Sequence, residues 1–429
     1  MVSEVRAIPA PGEVKEVENQ NRREREALYG PMREEGVFTW DWMYGEEYAL
    51  HDIHLISPSF REEIAMATER LGQVFSKVVP VLQRAEDSLL LELGVPKEAS
   101  QAVRIVVSQA VPTVIGRFDF AQTTEGLKML ECNSDTPTGI VEAFYVNGRA
   151  CRHFLREDPN EGMARQLCSA FSKVVDAYRA QGYDTESIWF SSLDWHEEDK
   201  GTTLYLLNKS GLSARFAALE HLRVWQDRLY VKENEELLPV DVLYRLHALE
   251  KLAVERDEDG YPTGEHVLSL IARKKLAIIN PPSAFLIQTK ALQALIWNLH
   301  EANEFFTEEE HAIIEAYMLP TYFENRFAGR EDYVTKPIFG REGGGVMLFA
   351  SDGTLQEKDE EEFYWEQPMI YQKRVELPEI TVETMKGAYA GRLLWGSFWI
   401  GTESSAIVAR VGGPITNNLS YYLPVGIDK

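Results

Sequence analysis

From residue 60 onward, apolar residues recur at helical spacing. Ile64, Ala67, Leu71, Val74, Phe75 and Val78 fall on one stripe, which predicts an amphipathic helix against a core. Ser59-Phe60-Arg61-Glu62 has the spacing of a capping box at its start, and Pro80 is expected to end or kink it. Residues 1 to about 35 are charged and carry Pro9, Pro11 and Pro31, so they read as an exposed arm with a helical turn or more. Between residues 112 and 135 the period changes to two, predicting a hairpin. From about 185 to 275, short apolar runs at Ser187–Phe190, Thr203–Leu206 and Pro239–Leu243 alternate with helical stretches, the pattern of an α/β layer. Phe285 to Leu299 reads as one more helix, with Leu292, Leu295, Ile296 and Leu299 on one face. After residue 330 the pattern turns to strands, turns and glycines. The fold class expected is α/β (α+β).

Composition narrows the function. The 429 residues exceed one simple core, and 45% hydrophobic with 26% charged residues is ordinary for a globular protein. No basic segment followed by an apolar one opens the chain, and no apolar run approaches the length of a membrane span. Three cysteines, Cys132, Cys151 and Cys168, lack metal-type spacing and suit a reducing, cytoplasmic setting. The formal charge of −24 disfavours nucleic acid and would concentrate small cations such as polyamines. Solubility alone is the plainer account of that charge.

Four segments carry candidate chemistry. In the hairpin, a loop Thr124-Glu125-Gly126 ending in glycine sets Asp119 opposite Glu131 and Arg117 opposite Asn133. These four then share one face, and Phe118, Phe120, Leu130 and Cys132 share the other. Two carboxylates and an amide oxygen are hard ligands of the kind magnesium takes beside phosphates; a surface salt bridge of Arg117 with the two acids is the alternative. Second, Lys336-Pro337-Ile338-Phe339-Gly340-Arg341-Glu342-Gly343-Gly344-Gly345 combines cations with amides that can approach an anion. It is not a Walker A loop, and a flexible hairpin tip is its other reading. Third, Lys290 opens an apolar helix, where a lysine is ordinarily solvated. Fourth, Arg410 precedes a Gly-Gly-Pro turn ending in Ile415, Thr416 and Asn417, and could be a single exposed arginine. No zinc-protease, serine-hydrolase or clustered Cys/His signature occurs.

In order, the pieces are more specific than any one alone. Arg-x-Asp, Glu-x-Asn-x-Asp-Thr-Pro-Thr, a lysine before a Leu/Trp-rich helix, Lys-Pro-x-x-Gly-Arg-Glu-Gly, Tyr-Gln and Arg-x-x-x-x-Ile-Thr-Asn resemble the synthetase domain of the glutathionylspermidine synthase and trypanothione synthetase family, from about residue 40 to 425. The resemblance implies an ATP-grasp fold with a helical N-terminal region (1–110), a metal-binding hairpin and pre-ATP-grasp-like substrate region (111–275), and an ATP-grasp region (276–429) with a glycine-rich lid near 330–371. It implies a carbon–nitrogen ligase using ATP and Mg2+, which joins a carboxylate such as glutathione to a polyamine-like amine through an acyl phosphate. Asp119, Glu131 and Asn133 look like the magnesium ligands, and Arg117 like the clamp on the transferring phosphoryl group. Lys290 and Lys336 match phosphate-binding lysines, and Arg341, Gly343 and Gly344 the lid. Tyr371-Gln372 matches the adenine hinge. Arg410, Ile415, Thr416 and Asn417 match the C-terminal part of the active site, and Thr136, Glu197 and Glu198 substrate contacts.

The sequence departs from the family at three points. Its full-length bacterial members carry an N-terminal amidase, for which this sequence is expected to have no counterpart. Val411-Gly412 follows Arg410 in place of acidic residues, and Leu246-His247 stands where an aromatic–acid pair is usual. The same chemistry on another peptide or amino-acid pair, or an inactive ATP-binding relative, are the competing readings. Small-molecule substrates are the expected partners, with neither nucleic acid nor membrane.

Overall fold

The computed structural model describes residues 11–428 except 109–110, 258, 342 and 360–363, and the backbone but not the side chains of 11–19. The N-terminal segment departs from the exposed arm expected of it. Pro11–Glu34 is a 24-residue helix, and Arg25, Leu28, Tyr29 and Met32 along it are buried. Arg25 is charged yet inside, because its guanidinium pairs with Asp41 and Glu47 and lies over the Tyr29 ring. A buried charge is tolerated when paired and hydrogen-bonded, so the charged sequence conceals an interior face.

The predicted amphipathic helix is Pro58–Leu82, with the expected stripe buried. Its cap is Ser57, not Ser59: the Ser57 hydroxyl accepts from the Phe60 amide at 3.1 Å, and Pro58 takes the first turn, where a missing N–H is harmless. The helix ends at Leu82, two residues past Pro80, close to where the proline was expected to end it. The helix packs on a six-stranded antiparallel sheet. Across that sheet run Tyr421–Leu423, Glu403–Gly412, Gly387–Ile400, Ile115–Thr123 and Gly126–Asn133, with Glu379–Thr384 also paired to Gly387–Ile400. At the contact Gly72 meets Trp399, where a Cβ would lie 2.5 Å from the indole.

The α/β layer is a four-stranded parallel sheet ordered Ala277–Ile279, Val242–Leu246, Ile188–Ser192, Ala214–Ala218. Thr203–Leu206 is not one of its strands but part of the helix Glu197–Lys209. Three acidic residues in that helix's first turn favour its positive end. The glycine-rich region belongs to a five-stranded antiparallel sheet ordered Thr321–Tyr322, Met369–Lys373, Tyr333–Pro337, Met347–Phe349, Leu355–Lys358. The single helix expected over 285–299 is broken into Ala284–Gln288 and Lys290–Glu301, because Thr289 takes an extended ψ of 129° and caps the second helix through its hydroxyl. The architecture is thus mixed α/β. Among the described residues no helix is long and apolar enough to cross a membrane.

One side chain ties the sheets together beneath the hairpin. Asn280 Oδ1 accepts from the amides of Val114 and Ile115, and its Nδ2 donates to the carbonyls of Ile115, Ser134 and Asp135. It therefore clamps the base of both hairpin strands, and with them the residues that face the cavity.

Candidate active site

The hairpin register is the predicted one at the residues that matter: Arg117 opposes Asn133 and Asp119 opposes Glu131. It arises differently from the expectation. Thr123 pairs with Gly126, so the loop has two residues, not three, and a bulge between Asp119 and Phe120 restores the count. Glycine is needed at 126, where φ is +96°. The bulge has a consequence at Leu130, which lines the cavity instead of joining Phe118, Phe120 and Cys132 in the core.

Pairing then carries the face across the sheet. Gly396 lies opposite Asp119, and Leu394 opposite Arg410, so strands distant in sequence deliver Arg117 and Arg410 to one carboxylate. Arg117 donates Nε to Asp119 Oδ1 at 2.6 Å and Nη2 to Oδ2 at 2.9 Å, while Arg410 Nη2 reaches Oδ2 at 3.0 Å. A third donor of Arg117 meets the Thr138 carbonyl. Gly396 makes room: a Cβ there would sit 2.9 Å from Arg117 Cδ. The surface salt bridge considered from sequence is therefore an interior one, with the Asp119 side chain only 1% exposed, and Arg410 belongs to it.

Beside it lies a second charge cluster. Glu131 Oε2 is 3.1 Å from Lys290 Nζ, and Lys290 also donates to the Gly340 carbonyl. Lys290 is buried, not solvated, because the break at Thr289 turns it inward. Burial pushes the Glu131 carboxyl up, but Lys290, Lys336 and hydrogen bonds outweigh it and hold the group well below the usual carboxylate range. Lys336 donates to the Leu130 carbonyl and to Gln372 Oε1, and burial pulls its ammonium down to about 8. Asn133 Nδ2 stands 3.1 Å from Glu131 Oε1 and 3.5 Å from Asp119 Oδ2, so the three polar groups converge. Gln288 fixes that amide: its Nε2 donates to Asn133 Oδ1, and its Oε1 accepts from the Ser134 and Asp135 amides.

The glycine segment is packed. Gly343 has φ +77°, and a Cβ would meet the Thr416 carbonyl at 2.5 Å; at Gly344 a Cβ would meet the Tyr364 ring at 2.6 Å. Contact with Thr416 joins two segments more than 70 positions apart. Arg341 is held by both carboxylate oxygens of Glu250, at 2.7 and 3.1 Å, and donates to the Thr136 hydroxyl at 2.8 Å. Behind it Asp135 and Arg245 form a fully buried ion pair. Glu342 lies outside the described residues.

These groups surround one cavity of about 240 Å³. It is lined by Arg117, Asp119, Glu131, Asn133, Lys336 and Arg341, and further by Gly343, Gln372, Arg410 and Ile415 to Asn417. Thr136 and Glu198 also reach it. Glu197 is exposed and does not line it, Gly344 faces Tyr364, and Lys290 acts from behind Glu131. Tyr371 points away, its ring 6.2 Å from Tyr333, because neighbouring strand residues face opposite sides. An apolar slot formed by Leu130, Val334, Leu348, Val375, Leu377 and Leu394 adjoins Gln372. Such apolar lining can pack against an uncharged group, and the basic side chains of the same cavity can hold an anion. Sequence reasoning missed Tyr48, Glu250 and the slot; only the slot had a signal, the apolar Val375 and Leu377 just after Tyr371-Gln372.

Among known proteins, the family described as Glutathionylspermidine synthase preATP-grasp matches residues 20–428. A Haemophilus influenzae protein provisionally named an acid–amine ligase is 25% identical over 328 residues, covering 73% of this chain and 74% of the relative. The Bifunctional glutathionylspermidine synthetase/amidase of Escherichia coli is 21% identical over 371 residues, 80% of this chain; the match spans only 56% of that enzyme. A solved glutathione synthetase-like effector from Globodera pallida superposes with a TM-score of 0.59 at 11% identity, covering 98% of both chains. That likeness concerns fold.

Proposed function

Since the chain belongs to the glutathionylspermidine synthase pre-ATP-grasp family, a family of carbon–nitrogen ligases, we propose that it uses ATP to activate a carboxylate as an acyl phosphate and joins it to an amine. A peptide such as glutathione is the proposed acid and a polyamine-like molecule the amine. The observation that carries this reading is the convergence of the Arg117–Asp119–Arg410 and Glu131–Lys290–Lys336 clusters in one cavity beside an apolar slot. With little covalent chemistry left to the protein, phosphoryl transfer depends on positioning and charge stabilisation.

In this reading Lys290, Lys336 and Arg341 hold the nucleotide phosphates, with Gly343 and Gly344 letting backbone approach them. Arg117, aided by Arg410, neutralises the phosphoryl group in flight. The adenine lies in the slot against the Tyr371-Gln372 strand, Tyr371 contributing backbone alone. Ile415, Thr416 and Asn417 close the C-terminal side. Asp119 and Glu131 fit Mg2+ in donor chemistry, since magnesium prefers hard carboxylate oxygens shared with phosphates; Asn133 now turns its Nδ2 to both acids and its Oδ1 to Gln288, so it would join them as a ligand only with its amide reversed. The ion would supply charge neutralisation on the phosphates. Thr136 and Glu198 face the acid and amine; Glu197, beside Glu198 on the helix Glu197–Lys209, is assigned a longer-range electrostatic part. Residues 330–371 are the proposed lid within the region 276–429, following a substrate region (111–275) and an N-terminal region (1–110).

The test is ADP release over a panel of peptides and amines. Release stimulated only when both an acid and an amine are present supports the ligase. ATP binding without stimulated release by any pair would identify an inactive relative instead.

A further inference from the structure

Glu142 is the least explained acid in the molecule. It is wholly buried, yet forms no ion pair among the described residues. Oε1 accepts from Trp40 Nε1 at 2.9 Å and from the Tyr48 hydroxyl at 3.0 Å, while Oε2 is buried with no partner. Keeping such a group inside is costly. Burial raises its carboxyl above the usual range despite those two donors. It opens a π-helical turn, Glu142–Val146, an irregularity often found at functional sites. Two residues separate that turn from the Thr136–Gly139 loop, which lines the cavity.

Tyr48 connects this acid to the cavity. Its ring lines the wall shared with Arg117, Arg410 and Glu198, close enough to Arg410 and Glu198 to feel their charges. The backbone of Tyr48 is held from both sides, its amide donating to the Asp41 carbonyl and its carbonyl accepting from the Tyr422 amide, while the phenol is held by Glu142. Trp40 is wedged likewise, against Gly201, where a Cβ would lie 2.1 Å from the indole. The arrangement is a tyrosine of the cavity wall whose hydroxyl is backed by a buried carboxylate with spare acceptor capacity.

We propose that Tyr48 and Glu142 form the proton-accepting dyad for the attacking amine, Tyr48 touching the nucleophile and Glu142 taking the proton through it. The inference rests on the ligase reading above. The attacking ammonium first loses one proton to solvent; the lone pair so freed forms the bond to the acyl carbon, and the carbon–oxygen bond to phosphate breaks with its electron pair leaving on phosphate. One N–H proton passes to Tyr48 Oη as the phenolic proton passes to Glu142 Oε1. Glu142 returns its proton through Tyr48 to solvent after the products depart. The phenol serves as relay, since burial and Glu142 keep it protonated; Glu142 is the positioned acceptor.

The experiment uses the full chain with Mg-ATP and glutathione, comparing two nucleophiles. Hydroxylamine is mostly uncharged at neutral pH and needs little help losing a proton, whereas spermidine is a set of ammonium groups. In Tyr48→Phe and Glu142→Gln, the ratio of spermidine amide to hydroxamate should fall by about 100-fold or more, the scale of general base catalysis. Glu142→Gln keeps an acceptor for Trp40 and Tyr48, so it carries the test should Tyr48→Phe fail to fold, as a thermal melt would reveal. An unchanged ratio, with both products reduced alike or neither reduced, would overturn the dyad and mark Glu142 as structural. Absence of both products in the wild type, with glutathione or any acid of the panel, would instead defeat the ligase reading and the dyad with it.

Discussion

Replacing Glu131 by glutamine keeps the side chain's shape and removes one negative charge from between two lysines. The charge lost is mostly interior: the Lys290 side chain is 4% exposed and that of Glu131 24%. Removing one partner of a fully buried pair costs about 3–5 kcal/mol. Here partial exposure screens the charge, and Lys290 keeps the Gly340 carbonyl, so about 1–3 kcal/mol is expected. The variant should therefore melt measurably lower while still folding. The sign with pH follows from the depressed carboxyl. Its stabilisation is complete above the unfolded value near about 4.3 and is lost as pH falls through the lower folded value. Urea midpoints of wild type and variant should thus differ by a constant amount from neutral pH to mildly acidic pH, and converge below about pH 4.

Ligand binding separates this structural effect from function. Saturation at 100 times Kd stabilises a protein by about 2.7 kcal/mol, visible as a rise in Tm on adding ATP with magnesium. In Glu131→Gln the part of that rise that depends on magnesium should vanish, and ATP turnover with it, although the lysines remain. The assay is a thermal melt with ATP across a magnesium titration, beside turnover under the same conditions. A magnesium-dependent rise equal to the wild type's would refute the metal role, whatever happened to the melting point without ligand.

Lys336 loses its proton above about pH 8 in the free protein, and bound phosphates should restore it; calorimetry of ATP binding in EDTA at pH 8.5, in buffers of different ionisation enthalpy, should register proton uptake that Lys336→Met lacks. Because the lowered value means the unfolded chain binds more protons from about pH 8 to about 10.4, this group should also make stability rise with pH over that window. Asn280→Ala would strand the five hairpin groups that Asn280 serves and should cost about 3 kcal/mol or more in a denaturant titration; a loss under 1 kcal/mol would mean that water replaces it. Gly72→Ala forces a methyl into the Trp399 indole and should destabilise by about 1–3 kcal/mol, read as a lowered midpoint with unchanged slope. Cationic amines should be used in preference to neutral ones, with an apparent affinity that falls as salt rises; use of neutral amines without salt dependence would contradict this.

The hairpin shows how much of the site was legible and by what route. Alternation alone fixed which residues share a face, and that face holds Arg117, Asp119, Glu131 and Asn133. The register at those positions is right only because a shorter loop and a bulge cancel, each being one residue away from the expectation. What alternation could not carry was the bulge's side effect on Leu130. Local signals failed in a consistent manner elsewhere. Arg25 made a buried helix look solvated, because the acids that neutralise it, Asp41 and Glu47, lie 16 and 22 residues away. Thr203–Leu206 read as a strand, although the acidic first turn ahead of it was a helix signal in plain view.

The same reasoning explains why the chain's net charge says nothing of the cavity. A net −24 predicts repulsion of polyphosphates, yet seven basic side chains line the cavity against four acidic ones. Spacing cannot reveal this, since Arg117, Lys336, Arg341 and Arg410 come from three parts of the chain and meet only through strand pairing and the packed glycine loop. Their concentration matters more than the total, because low-dielectric walls strengthen short-range attraction while surrounding salt screens the distant acids. In the proposed ligase the surface charge would act on the other substrate, drawing a cationic amine toward the cavity that Glu198 helps to line. The opposite charges of the proposed nucleotide and amine would thereby be served by two ranges of one electrostatic field, the near one basic and the far one acidic.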